Sequence, residues 1–223
     1  MTYALLVLVG IMAIVVWWLA RQTVNVTPWA EQGTGTARGD DGSLPLINIK
    51  VGLGVFLAVA TSLFALLISA YHMRMLGDDW SRVPLPRVLW LNTGVLVLAS
   101  LAMHWTQNAA RTGSRDGVIH GLAAAGALSL GFLAGQLWAW QQLAAAGYYA
   151  AANPSYAFFY LLTAVHGLHL LGGLLVWART TYRTYRSADP EKVRLSVELC
   201  TVYWDYLFAV WVVLFAVLLH THD

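Results

Sequence analysis

The sequence predicts an all-α protein, a polytopic membrane bundle of six transmembrane helices. Three observations carry that expectation. Of 223 residues, 59% are hydrophobic and only 11% are charged, where soluble domains carry roughly a quarter charged. Six apolar stretches each approach the ~20 residues that cross a bilayer at 1.5 Å per residue. The charged residues gather between those stretches, in loops too short for a further folded domain.

The six spans are expected at about Tyr3–Leu19, Val51–His72, Val88–Trp105, Ile119–Leu143, Tyr156–Ala178 and Leu195–Leu219. The first lacks the charged leading region of a secretory signal, so it reads as a retained helix. Between the first and second lies Arg21–Lys50, polar and rich in Gly, Thr and Asp, with Pro28 and Pro45. It reads as a surface loop. No Gly-Lys-Thr or Gly-Lys-Ser follows its glycines and no strand precedes them, which speaks against a phosphate cradle. The expected division is a leading helix over 1–20, a cytoplasmic loop over 21–49 and a helical core over 50–223.

Charge in the loops sets the orientation. Ten of the thirteen basic residues fall on one side: Arg21, Arg38, Lys50, Arg111, Arg115, Arg179, Arg183, Arg186, Lys192 and Arg194. Arg74, Arg82 and Arg87 fall on the other. The excess of positive charge marks the cytoplasmic face, so both termini are expected on the outer, periplasmic side. Trp17, Trp18, Trp105 and Trp177 lie where an inner aromatic belt belongs, and Trp80, Trp90, Tyr148 and Tyr149 where an outer one does. No basic run suggests nucleic-acid binding.

The fifth span is the chain's centrepiece. It holds His166 and His169, three apart and therefore on one helical face. Ionisable groups within a span are costly and mark structural or functional sites. The fourth span carries Gly126, Gly131 and Gly135, and Gly131-x-x-x-Gly135 permits close backbone approach. That surface serves either another chain or packing within this one. Cys200, the lone cysteine, reads as a small buried residue.

The motifs then resemble a known family. FFYLLTAVHGLHLLGG at 158–173 resembles the penultimate helix of subunit III of haem-copper cytochrome oxidases, with its His-Gly-x-His. VELCTVYWDYLFAVWVVLF at 197–215 resembles the family's last helix. WLNTGVLVLASLAMHW at 90–105 resembles its Leu-Asn-Thr helix, and residues 50–71 resemble the helix that normally carries an intramembrane glutamate. The likeness covers 50–219 in the family's order. It implies a five-helix subunit III core preceded by one extra helix, in the inner membrane of a bacterium. It implies a non-catalytic subunit of a proton-pumping cytochrome c oxidase that reduces oxygen to water. Such a subunit docks on subunit I, with subunit II also present, binds phospholipid and supports proton uptake. No cofactor is implied in this chain, the haems and copper belonging to subunits I and II. The alternatives are a subunit III-like part of a quinol oxidase or nitric oxide reductase, a haem-binding membrane anchor using the histidines, and a small transporter.

Within that likeness some residues stand out. His166 and His169 read as hydrogen-bonded structural groups. Glu198 and Asp205, seven apart, share a face of the last helix. Glu198 reads equally as an interfacial acid paired with Arg179 or Arg194. Tyr203 belongs to the same polar set. Asp205 stands where the family usually has histidine, about ten residues or ~15 Å into the span. Ala60 stands where the family carries its glutamate, which puts in doubt any role depending on that acid. The resemblance thus implies a buried acid moved from one helix to another rather than lost, and Asp205 is expected to contact His169, His166 or another polar side chain. Trp204 and Trp211, also seven apart, are expected either to line a lipid-filled cleft or to pack against a neighbouring helix.

Overall fold

The computed structural model describes residues 43–186 and 190–220. The predicted leading helix, most of the 21–49 loop and the C-terminal residues 221–223 lie outside the described residues. So do both termini, on which the periplasmic assignment rests.

Five helices follow in order: α1 Ser43–Arg74, α2 Val88–Arg111, α3 Arg115–Ala145, α4 Pro154–Arg186 and α5 Pro190–His220. Each contains a segment long and apolar enough to cross a membrane. Each of the five contains one of the predicted spans and extends beyond it. Apolar runs mark only the part of a helix in hydrocarbon, and the helix continues into the interface until something stops it. At the end of α2, Thr112 caps onto the Asn108 carbonyl and Gly113 turns left-handed at φ +76°. At the end of α3, Gly147 does the same at φ +88°. Ser114 then caps α3 by accepting from the Gly117 N–H at 3.3 Å, and Asn153 Oδ1 accepts from the Ser155 N–H at 2.9 Å at the start of α4. Pro190 opens α5, a position where its missing N–H costs nothing. α1 begins at Ser43, so the last seven residues of the predicted 21–49 loop are helical.

The chain divides into two compact units within α1, between Ala65 and Leu66. In the first, Leu57, Ala60 and Phe64 are buried on one helical stripe. Thr61 and Ser62 donate their hydroxyls to carbonyls four residues back, at 2.7 and 3.0 Å.

The second unit is built on a ring of four helices. α2 packs against α3 and α5, and α4 packs against the same two. Short connections make chain neighbours antiparallel. The core is Leu96, Ala99 and Met103 of α2, Leu122 and Phe132 of α3, Phe159, Leu162 and Leu170 of α4, and Trp204, Leu207 and Trp211 of α5, all essentially inaccessible. The glycines of α3 serve this packing. A methyl at Gly135 would strike the Asn92 side chain of α2, and one at Gly131 would rest 3.9 Å from Val95 of the same helix. The Gly135 end of the Gly131-x-x-x-Gly135 surface is therefore filled from within the chain, while Gly131 stays exposed.

Both ends of the ring are tied. At one end Arg115 Nη2 donates to the last carbonyls of α4, Thr184 at 3.2 Å and Tyr185 at 2.8 Å. At the other, the α1–α2 loop is held to α4, where Asn153 Nδ2 donates to the Asp79 carbonyl at 2.7 Å and Ser81 donates to the Tyr156 hydroxyl at 3.0 Å. Arg74 pairs with Asp79 in that loop at 2.7 Å, and its guanidinium holds the Asp79 carboxyl below the usual carboxylate range.

Candidate functional site

Three consecutive residues at the middle of α5 reach three different helices. Successive helical residues are 100° apart, and α5 is surrounded by α2, α3 and α4. Tyr203 turns to α4 and donates its hydroxyl to the His169 carbonyl at 2.8 Å. Trp204 turns inward and donates its indole N–H to Ser129 Oγ of α3 at 2.9 Å. Asp205 turns to α2. Its Oδ1 accepts from Ser100 Oγ at 2.7 Å, and its Oδ2 lies 3.0 Å from His104 Nε2.

Asp205 thus has a polar partner, but on α2. The expected histidines, His166 and His169, belong to α4, on another side of α5. Depth alone cannot distinguish two helices that flank the same residue. Ser100 and His104 are one turn apart on α2 and present one polar face. Ser100 sits at the midpoint of Val88–Arg111, and Asp205 at the midpoint of Pro190–His220. The carboxylate is therefore central along its helix. The expected span Val88–Trp105 puts His104 at its edge; α2 runs to Arg111 and places it seven residues inside. The spacing Ser100-x-x-x-His104 in an otherwise apolar helix was the signal that could have found it.

The remaining residues fall as follows. His166 is fully buried, its ring against Phe132 at 5.7 Å and Trp211 at 5.2 Å between centroids. His169 is half-buried and donates Nδ1–H to the Val165 carbonyl of its own helix at 2.8 Å. Glu198 is half-buried, seven residues before Asp205. Cys200 is buried beside Thr180 Oγ1 at 3.5 Å. Trp211 donates its indole N–H to Thr93 Oγ1 of α2 at 3.0 Å. Trp204 and Trp211 are both enclosed by protein, at 1% and 0% exposure. Of the two expectations for these rings, the burial and bonding fit packing between helices, where each indole N–H finds its acceptor inside the bundle. Among the described residues no group of three or more His, Cys, Asp or Glu side chains stands together as a metal site would require.

These features define a multi-pass helical membrane protein whose interior is locked by indole and hydroxyl hydrogen bonds, with an acid, an imidazole and a hydroxyl joined at mid-depth. The chain belongs to the family described as cytochrome c oxidase subunit III, which it matches over residues 1–221. It is 29% identical over 170 residues to cytochrome c oxidase subunit 3 of Synechocystis sp., covering 74% of this chain and 72% of that one. It is 27% identical over 192 residues to cytochrome c oxidase subunit 3 of Thermostichus vulcanus, covering 84% and 94%. It is also 23% identical over 173 residues to cytochrome bo(3) ubiquinol oxidase subunit 3 of Pseudomonas putida, covering 75% and 83%. Family membership makes the chain a subunit of an oxidase complex of the respiratory chain, and so part of an oxidoreductase assembled from several subunits.

Proposed function

We propose that this chain is the non-catalytic subunit III of a bacterial cytochrome c oxidase in the inner membrane. It docks on subunit I in a complex that also contains subunit II, holds phospholipid and sustains proton uptake by its partner. Electrons pass through haems and copper held by those partners and not through this chain. The observation that carries the reading is the family match along almost the whole chain. The packing agrees with a scaffold role: His166 is wedged between aromatic rings and His169 turns Nδ1 onto its own helix. Cytochrome c is the favoured donor because the family and the cyanobacterial relatives carry that name. The relative named a ubiquinol oxidase subunit keeps the quinol reading as the second.

The test is affinity purification of the tagged chain from its native membranes in mild detergent. The expected product contains two larger oxidase subunits, shows haem absorption and oxidises reduced cytochrome c. A complex that oxidises quinol and ignores cytochrome c would support the second reading. The chain purified alone with haem bound to it would overturn both.

A further inference from the structure

We infer that a single ordered water molecule is bound where the α1–α2 loop meets the start of α4, giving its two hydrogens to Ser81 Oγ and Ser155 Oγ and joining the loop to the first turn of α4.

The space is bounded by four segments. Tyr71 near the end of α1, Trp80, Ser81 and Val83 of the α1–α2 loop, Ser155 of α4 and Leu218 of α5 line a cavity. Tyr71, Ser155 and Leu218 are buried, at 1%, 1% and 3% exposure. Aromatic packing sets one wall: the Tyr71 ring meets Trp80 edge-on at 5.0 Å between centroids and Phe158 at 5.7 Å. About 10 Å³ is open to the centre of a water-sized sphere. By that measure the cavity takes one water and is too small for a lipid chain.

The hydrogen bonds around the cavity decide what fits it. Asn153 fixes the first hydroxyl. Its Nδ2 donates to the Asp79 carbonyl at 2.7 Å, so Oδ1 is the atom turned to Ser155. That oxygen accepts the Ser155 N–H at 2.9 Å and the Ser155 hydroxyl at 2.8 Å. The Ser155 hydrogen is therefore committed, and Oγ has only lone pairs left to offer. Ser81 likewise gives its hydrogen to the Tyr156 hydroxyl at 3.0 Å. Tyr156 is held in turn by Tyr148, edge-on at 5.1 Å. Among the described residues neither serine oxygen accepts a hydrogen bond. A buried acceptor with no donor costs free energy. Water brings two O–H donors in one small molecule and satisfies both oxygens at once. The lining carries no charged side chain, so nothing there repays the desolvation of a metal cation. The bridge adds a third link between loop and helix, beside Asn153–Asp79 and Ser81–Tyr156.

The inference does not depend on the oxidase reading; it needs only the folded chain. The test is a high-resolution cryo-electron microscopy map of the native complex purified through this chain. One isolated peak within hydrogen-bond distance of both serine oxygens is expected, and it should persist when choline replaces sodium and potassium in the buffer. A peak lost in choline would mean a cation. A cavity without a peak, or one filled by a shifted side chain, would mean no site. Either result overturns the inference. Val83→Ile adds a measurement that carries a sign. In a hydrated cavity the added methylene displaces the water and strands two acceptors, so the peak should vanish and the thermal unfolding midpoint should fall. In a dry cavity the same methylene fills apolar space, and a raised midpoint would contradict the proposal.

Discussion

The Asp205 carboxylate and the His104 imidazole meet at 3.0 Å across the seam between α5 and α2, with Ser100 closing the triangle at 2.7 Å. Asp205→Leu strips both α2 side chains of their acceptor. The expected loss is about 1–2 kcal/mol, the range of interhelical polar contacts in membranes. Asp205→Asn keeps an acceptor for Ser100 and should lose less than half as much. Reversible unfolding of the purified chain in mixed micelles reads both. Equal losses for the two variants would mean that polarity at this position is irrelevant.

Gly135 faces Asn92, which is buried and whose Nδ2 donates to the Phe132 carbonyl at 3.5 Å. Gly135→Ala must push that amide aside and is expected to cost about 1–3 kcal/mol, as overpacking does. Gly172→Ala meets nothing within 4 Å and should be neutral or slightly stabilising, since alanine favours helix. Thermal unfolding of the pair in detergent checks the contrast.

Trp211 is buried against Phe132 at 4.8 Å between ring centroids and bonded to Thr93. Trp211→Phe removes the N–H donor and part of the ring. Thr93 keeps its bond to the Leu89 carbonyl at 2.9 Å, so no hydroxyl is stranded. The expected loss is about 1–3 kcal/mol, mostly from the cavity. Restoring volume, and not polarity, at this site should recover it, as a comparison of Trp211→Phe with Trp211→His would reveal.

Asp79 titrates outside the membrane spans. Its carboxyl is held below the usual carboxylate range by the hydrogen bond from Arg74. A carboxyl lowered on folding adds stability above its unfolded pKa and loses it as pH falls through the folded one. The tie is thus present at neutral pH and fades only at pH below the ordinary carboxylate range. Arg74→Gln should raise the Asp79 titration back toward that range, followed by carbon NMR of the labelled carboxyl.

The sequence was most legible where a single chemical property decides the outcome. Apolar length located five of the spans, and the isolated charge of Asp205 flagged the centre of α5. What stayed hidden depends on direction around a helix. Asp205 and Tyr203 differ by 200° on α5, so one meets His104 of α2 and the other the His169 carbonyl of α4, although both histidines lie near the middle of the bundle. The same ambiguity affected Trp204 and Trp211. Their spacing correctly put them on one face, but in a membrane protein the lipid side and the core side are both apolar, so composition could not say which they occupy. The helix ends were not legible for a third reason: hydropathy marks the apolar span, while the helices continue to the turns at Gly113 and Gly147.

The central claim is that this chain works as one subunit among several, with the redox centres in its neighbours. Native mass spectrometry of the complex purified through this chain tests it most directly. The account predicts one copy of this chain bound with a haem-carrying larger subunit, and no haem mass on this chain when collisions eject it. A haem retained on the ejected chain, or a particle made of this chain alone, would contradict it.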